Sequence, residues 1–176
     1  MGGPITPHAD DPGSVKQFAL ALYARDGVAE ACLHLQNRHD LDVTLVLFAA
    51  FVGAVRRQRL TSSNLNAARA RVDAWHIEVV RPLRAVRKRL KTGPPPAPND
   101  VTALLRGRIQ KIEIEAEMIE LDELGELISD WESVSTSGNA AESAAAAIET
   151  VLREHSHIPI DDLDRRAIET ISSAAG

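Results

Sequence analysis

Residues 65–90 read LNAARARVDAWHIEVVRPLRAVRKRL, and Leu65, Ala68, Val72, Trp75, Val79, Leu83, Val86 and Leu90 recur there at steps of three and four. That spacing marks an amphipathic α-helix, because about 3.6 residues make one turn and the apolar stripe then covers a single face. The stripe keeps its phase across Pro82. Proline lacks the N–H of the helix ladder and clashes with the preceding turn, at a cost of about 3 kcal/mol in a helix interior. It also pushes Arg81 away from helical geometry. The stretch therefore predicts a kinked helix or two nearly coaxial helices, and the unbroken phase argues against a chain reversal.

Outward from this stretch the chain reads as further helices. Residues 1–13, with their prolines and glycines, read as a disordered leader. Ser14, with Gln17 three residues on, is a helix start, and Val28, Ala31, Cys32 and Leu35 mark a second short helix. Asp42 can start a third, from Val43 to about Arg57, apolar around nearly its whole circumference and so expected at the centre. Residues 93–98 form a proline-rich linker, expected to be stiff and extended. Asn99 or Asp100 then caps a long acidic helix over 100–131. Its buried face is expected to begin as Leu105, Ile109, Ile112, Ala116, Ile119 and to shift to Leu121, Leu124, Ile128, Trp131. An Ala-rich helix and a short helix after Pro159 follow. No stretch alternates as a strand. The expected fold is all-α, a compact irregular bundle of about six to eight helices. Residues 14–132 are its core domain, with 14–91 the core unit, and residues 133–176 a C-terminal helical appendage that can be mobile.

Composition agrees with helices. Of 176 residues, 44% are hydrophobic but only 3% aromatic, so the core must be aliphatic and Ala-rich. A single cysteine, Cys32, excludes an intrachain disulfide and suits a reducing compartment. No signal-peptide pattern is present. The apolar run 41–55 contains Asp42 and falls short of the ~20 residues a bilayer span needs. A cytoplasmic protein without a membrane span is the expectation.

Charge is divided sharply. Eleven basic residues face two acids between Arg56 and Lys91, whereas nine acids face Lys111 alone between Lys111 and Glu132. Arg81, Arg84, Lys88 and Lys91 fall on one helical stripe. The short linker between the segments suits an antiparallel hairpin in which the charges pair. Internal pairing is favoured over a protein partner, and both over nucleic acid or a membrane surface, since the stripe has no interleaved aromatics and the whole chain is acidic.

The stretches FALALYAR (18–25), GVAEACLHLQ (27–36), RHDLDV (38–43), LVLF (45–48), WH (75–76), EVVRPLR (78–84) and RKRLK (87–91) carry a resemblance. Over about residues 18–91 the chain resembles a small proteobacterial family of conserved hypothetical proteins, classed as a domain of unknown function. The resemblance implies a compact all-helical bacterial protein and brings no activity with it.

Candidate binding residues are Gln36, Arg38, His39 and Asp42, around a turn leading into the buried helix, together with Arg81, Arg84 and Lys88. The turn's plain structural role is that Asp42 caps, Arg38 pairs with an acid and His39 bonds a backbone carbonyl. A helix N-terminus beside basic side chains can also hold an anion. No catalytic residues, cofactor or metal site are expected, because no His or carboxylate pair has ligand spacing within one helix. Cys32 lies on an apolar face, where an inert thiol is expected. The favoured function is a non-catalytic protein-interaction or accessory factor, with a probable protein partner and scope for a homo-oligomer. The alternatives are a small-anion or small-ligand binding protein, conceivably an enzyme, and then a nucleic-acid binder through residues 81–91.

Overall fold

Six of the helices begin where a side chain can satisfy the free N–H groups of the first turn. Ser14, Asp42, Thr61, Asn99, Asn139 and Asp161 all accept from a backbone N–H two or three residues on. The computed structural model describes residues 14–129, 131 and 135–176, so the leader expected over 1–13 lies outside the described residues. Its helices are α1 (Val15–Tyr23), α2 (Val28–His39), α3 (Val43–Ala54), α4 (Ser62–Trp75), α5 (Arg81–Arg89), α6 (Asp100–Ile128), α7 (Ala140–His155) and α8 (Asp162–Ala175). A π-helical turn, His76–Val80, joins α4 to α5 end to end. The fold is thus an all-α bundle of seven helical rods among the described residues. Extended pairing there amounts to an isolated bridge between Gln58 and Ser135.

α3 is the centre, as its composition demands. Every residue from Thr44 to Ala54 is buried. Phe48 and Phe51 make edge-on contacts with Trp131 and Phe18, at centroid distances of 5.6 and 5.4 Å. Around α3 pack Val15, Ala19 and Leu22 of α1, Leu35 of α2, Leu121 and Leu124 of α6, Ile148 and Leu152 of α7, and Ile168 and Ile171 of α8. The last two helices therefore share the core with α1–α3, rather than forming an appendage beside it. The reason is small residues: Ser143 and Ala144 of α7 lie so close to α3 that a Cβ on Gly53 would come within 2.3 Å of Ser143 O.

The rod α4–π–α5 runs antiparallel to α6, and the charges meet along it. Arg71 pairs with Glu123 and Glu126, Arg84 with Glu113 and Glu117, and Arg87 with Glu113. Burial alone would raise the Glu113 carboxyl, but hydrogen bonds from Arg87 and Arg84 hold it low. Neutralisation is partial: Arg81 turns instead to Asp40. The linker between α5 and α6 is a turn rather than an extended spacer, with Ala97 N–H donating to Pro94 O at 2.9 Å.

Two apolar stripes need correction. On α6, Leu121, Leu124 and Ile128 enter the core as expected, but Leu105, Ile112 and Ile119 are about half exposed and Ala116 alone of the earlier set is buried. Here α6 buries another face: Glu113, Ala116 and Glu120 are turned to the neighbouring helices and Ile112 and Ile119 away from them. On the α4–π–α5 rod the stripe changes phase after Val72. The next buried residues are His76 and Val80, not Trp75 and Val79. His76 follows Val72 by four residues, its N–H donating to Val72 O in the ordinary α-helical way, and the π-turn begins only there, with Arg81 N–H donating to His76 O, five residues back. The wider turn also accommodates Pro82 within a continuous helical path. No helix among the described residues is long and apolar enough to cross a membrane.

Candidate functional site

The seven candidate residues separate into three neighbouring places. Arg38 and His39 turn towards the C-terminal helices. There, Asp164 of α8 is a buried hub, its side chain 0% exposed. Its Oδ1 lies 2.9 Å from His34 Nε2, and its Oδ2 receives Arg38 Nε at 3.1 Å and Asp161 N–H at 3.0 Å. His39 Nε2 lies 3.1 Å from the same Oδ2, while its Nδ1 is 3.0 Å from Ser156 Oγ. Burial by itself would raise this carboxyl. The Asp161 amide and the His34 and His39 imidazoles overcome it and hold Asp164 down at about 2. One carboxylate is thus hydrogen-bonded by His34, Arg38 and a backbone amide, with the His39 ring 3.1 Å away but not hydrogen-bonded to it, and the arrangement ties α2 to α8.

Asp42 goes the other way, into a second buried cluster. As the N-cap of α3 it accepts Thr44 N–H on Oδ1 at 2.9 Å. Its Oδ2 lies 3.1 Å from His76 Nδ1, and Glu120 Oε1 of α6 lies 3.0 Å from the same nitrogen. Thr44 Oγ1 donates to Glu120 Oε2 at 3.1 Å. Burial pushes the Glu120 carboxyl up, and the nearby Asp42 charge adds to it. Burial disfavours the His76 imidazolium, but the Glu120 hydrogen bond and the Asp42 charge win and raise its pKa.

Gln36, Arg81, Arg84 and Lys88 do converge. With Asn37 and Asp40 they line an open pocket of about 330 Å³. Gln36 and Arg84 also line a second pocket of about 350 Å³ between α1, α2, α3, α5 and α6. Its apolar wall includes Leu33, Val43, Leu47, Ile114, Met118 and Leu121, and Tyr23, Glu113 and Glu117 add polar groups. Burial raises the Tyr23 phenol, which stays a neutral donor. Thr44, the donor to Glu120, lines this pocket too. Gln36 Nε2 is buried without a hydrogen-bond partner. Cys32 is buried, its thiol pushed up to about 12 by desolvation, and is inert.

Sequence reasoning missed His76, Glu120, Thr44 and Asp164. Ligand spacing within a single helix cannot reveal them, since Asp42, His76 and Glu120 come from the N-cap of α3, the π-turn and α6. Two signals were present: a histidine beside the stripe six residues before an in-helix proline, and a glutamate one residue before a core leucine. The second group with metal-ligand types, His34 with Asp161 and Asp164, already contains Arg38 as its cation.

No curated protein and no solved structure matches the chain significantly. A family match spans residues 15–124, from the first residue of α1 to the third core turn of α6, and so contains the π-turn, both pockets' main walls and all three members of the Asp42 cluster. With that span covering more than half of its 176 residues, the chain belongs to the family described as Protein of unknown function (DUF2390).

Proposed function

We propose that the protein binds a small amphiphilic anion. The observation that carries this reading is that Gln36 and Arg84 line both pockets, so an apolar recess and a cationic mouth share a wall. Pockets of about 300–1,000 Å³ with apolar walls and a few convergent polar groups are the usual form of small-molecule sites. In the recess, Arg84 and Arg87 are balanced by Glu113 and Glu117. At the mouth, Arg81 pairs with Asp40 and Lys88 adds a cation beyond that pair. The ligand's apolar body belongs in the recess and its carboxylate or phosphate at the mouth. An unpaired buried donor costs about 1–3 kcal/mol, and the Gln36 amide can relieve that by bonding a ligand oxygen. The unpaired Cys32 supports action in a reducing compartment such as the cytoplasm.

Calorimetric titration with octyl phosphate and with uncharged octyl glucoside, both below their micelle concentrations, tests the reading. Saturable binding of the phosphate is expected, weakened at least about tenfold for the glucoside and for Lys88→Glu. No saturable binding of the phosphate, or equal affinity for both probes, would overturn it.

A second reading, a protein partner, is supported by the half-exposed Leu105, Ile112 and Ile119 on α6, and by the exposed Ile77 in the π-turn. It predicts concentration-dependent association or a bound partner that Ile112→Lys abolishes. A monomer that gains no partner from its native host extract counts against it.

A further inference from the structure

The Asp42–His76–Glu120 cluster is short of positive charge. Two carboxylates, with side chains 8% and 0% exposed, share one imidazole. A single Nδ1–H cannot serve both. It bonds Glu120 Oε1, and Asp42 Oδ2 is left buried with no hydrogen bond at all. Among the described residues no lysine or arginine nitrogen comes within ion-pair distance of either carboxylate, and the nearby Arg84 is committed to Glu113 and Glu117. The α3 N-terminus contributes only a partial positive charge. A buried carboxylate without a partner costs several kcal/mol, so such an arrangement calls for a cation.

Geometry makes the cluster a chelate. Thr44 holds the outer oxygen of each acid, its N–H on Asp42 Oδ1 and its hydroxyl on Glu120 Oε2. That leaves Asp42 Oδ2, Glu120 Oε1 and His76 Nδ1 converging, the three atoms within 4.8 Å of one another and the nitrogen 3.0–3.1 Å from each oxygen. Adjacent ligands about 2.1 Å from one metal ion are themselves about 3.0–3.4 Å apart. Fixing a carboxylate by a hydrogen bond to its non-ligating oxygen is the usual support around a metal. His76 reaches this face as the residue four after the buried Val72, and the π-turn, a distortion often found at functional sites, starts at it.

We propose that Asp42, Glu120 and His76 bind one divalent first-row transition-metal ion. Two carboxylates and an imidazole are hard and borderline donors, suited to Mn²⁺, Fe²⁺, Co²⁺ or Zn²⁺ rather than to the soft Cu⁺. This does not rest on the amphiphile reading, although Thr44 lies in the wall of the recess.

The test strips the full-length chain with EDTA, removes the chelator and titrates Co²⁺, Zn²⁺ and Mn²⁺ separately by calorimetry, with visible absorption for Co²⁺. One equivalent per chain is expected for at least one ion, with Co²⁺ absorption bands that Glu120→Gln and His76→Gln abolish. Thr44→Val keeps all three ligands and should weaken binding by about 10–100-fold, while His34→Gln should leave it unchanged. Circular dichroism confirms that each variant is folded; an unfolded one leaves the decision to wild type and Thr44→Val. No saturable binding of any of the three ions by wild type overturns the proposal. So does binding that survives in folded Glu120→Gln, or that Thr44→Val does not change.

Discussion

Among the described residues, the buried carboxylates at Asp164 and at Asp42–Glu120 differ in how their charge is matched. At Asp164, one acid meets Arg38, His34 and His39 and the Asp161 amide, with Arg38 bridging on to Asp161. At Glu120, two acids meet His76 and the Thr44 hydroxyl. The first has both carboxylate oxygens and its charge matched within the chain, although His39 Nε2 makes no hydrogen bond, and it behaves as a clamp between α2 and α8. The second, equally buried, lacks a cation that the sequence does not supply. Burial alone therefore does not separate a structural from a functional ionic cluster; the balance of donors and charges does.

The most damaging way to break this comparison is to delete the clamp's hub. Asp164→Ala leaves Arg38 and two imidazoles facing an empty site, and removing one partner of a buried pair costs about 3–5 kcal/mol. Urea unfolding reads this directly, and a loss below about 1 kcal/mol would show that the cluster is not a clamp.

Acid probes the same carboxyl without mutation. Its pKa is lowered to about 2 in the fold, against about 3.9 for an unfolded aspartate. A lowered pKa means that the folded state gives up this proton more readily. Its contribution is therefore complete above about pH 4 and lost as pH falls towards 2. Stability curves of wild type and Asp164→Asn should differ in this window. Parallel curves would move the acid sensitivity to other groups.

Gly53→Ala attacks the C-terminal helices without touching either cluster. The new Cβ would meet Ser143 and Ala144 backbone atoms at 2.3–2.5 Å, and overpacking of this kind costs about 1–3 kcal/mol. A neutral result, again by urea unfolding, would mean that α7 shifts away from α3 freely. The clamp at Asp164 would then be the main tie of the C-terminal region.

Much of the architecture was legible in the sequence because it follows from local rules. The apolar circumference of residues 43–54 reads as a central helix, and Asp42, Thr61 and Asn99 are recognisable caps. What local rules could not give was anything set by a partner helix. Residues Leu105 and Ile112 look like a core stripe, yet around Ile112 α6 buries Glu113 and Ala116 instead, and both Leu105 and Ile112 stay half exposed. Ala144 looks like part of a loosely attached Ala-rich helix, yet its small side chain is what lets α7 lie against Gly53. The site divides likewise. Gln36, Arg81, Arg84 and Lys88 do share a pocket, since a helical stripe and a nearby turn are local features. His76 was hidden by its own stripe, because steps of three and four from Val72 are both helical and periodicity alone gave the buried position to the apolar Trp75.

The central claim, that one cluster is matched in charge and the other lacks a cation, is tested most directly by Asp164→Asn and Glu120→Gln compared by urea unfolding in EDTA-treated protein at neutral pH. Both replace a carboxylate by an isosteric amide. The account predicts a loss of roughly 3 kcal/mol or more for Asp164→Asn, where matched cations lose their partner. For Glu120→Gln it predicts a change within about 1 kcal/mol, or a gain, because surplus buried negative charge is removed. Equal large losses in the two variants would contradict it.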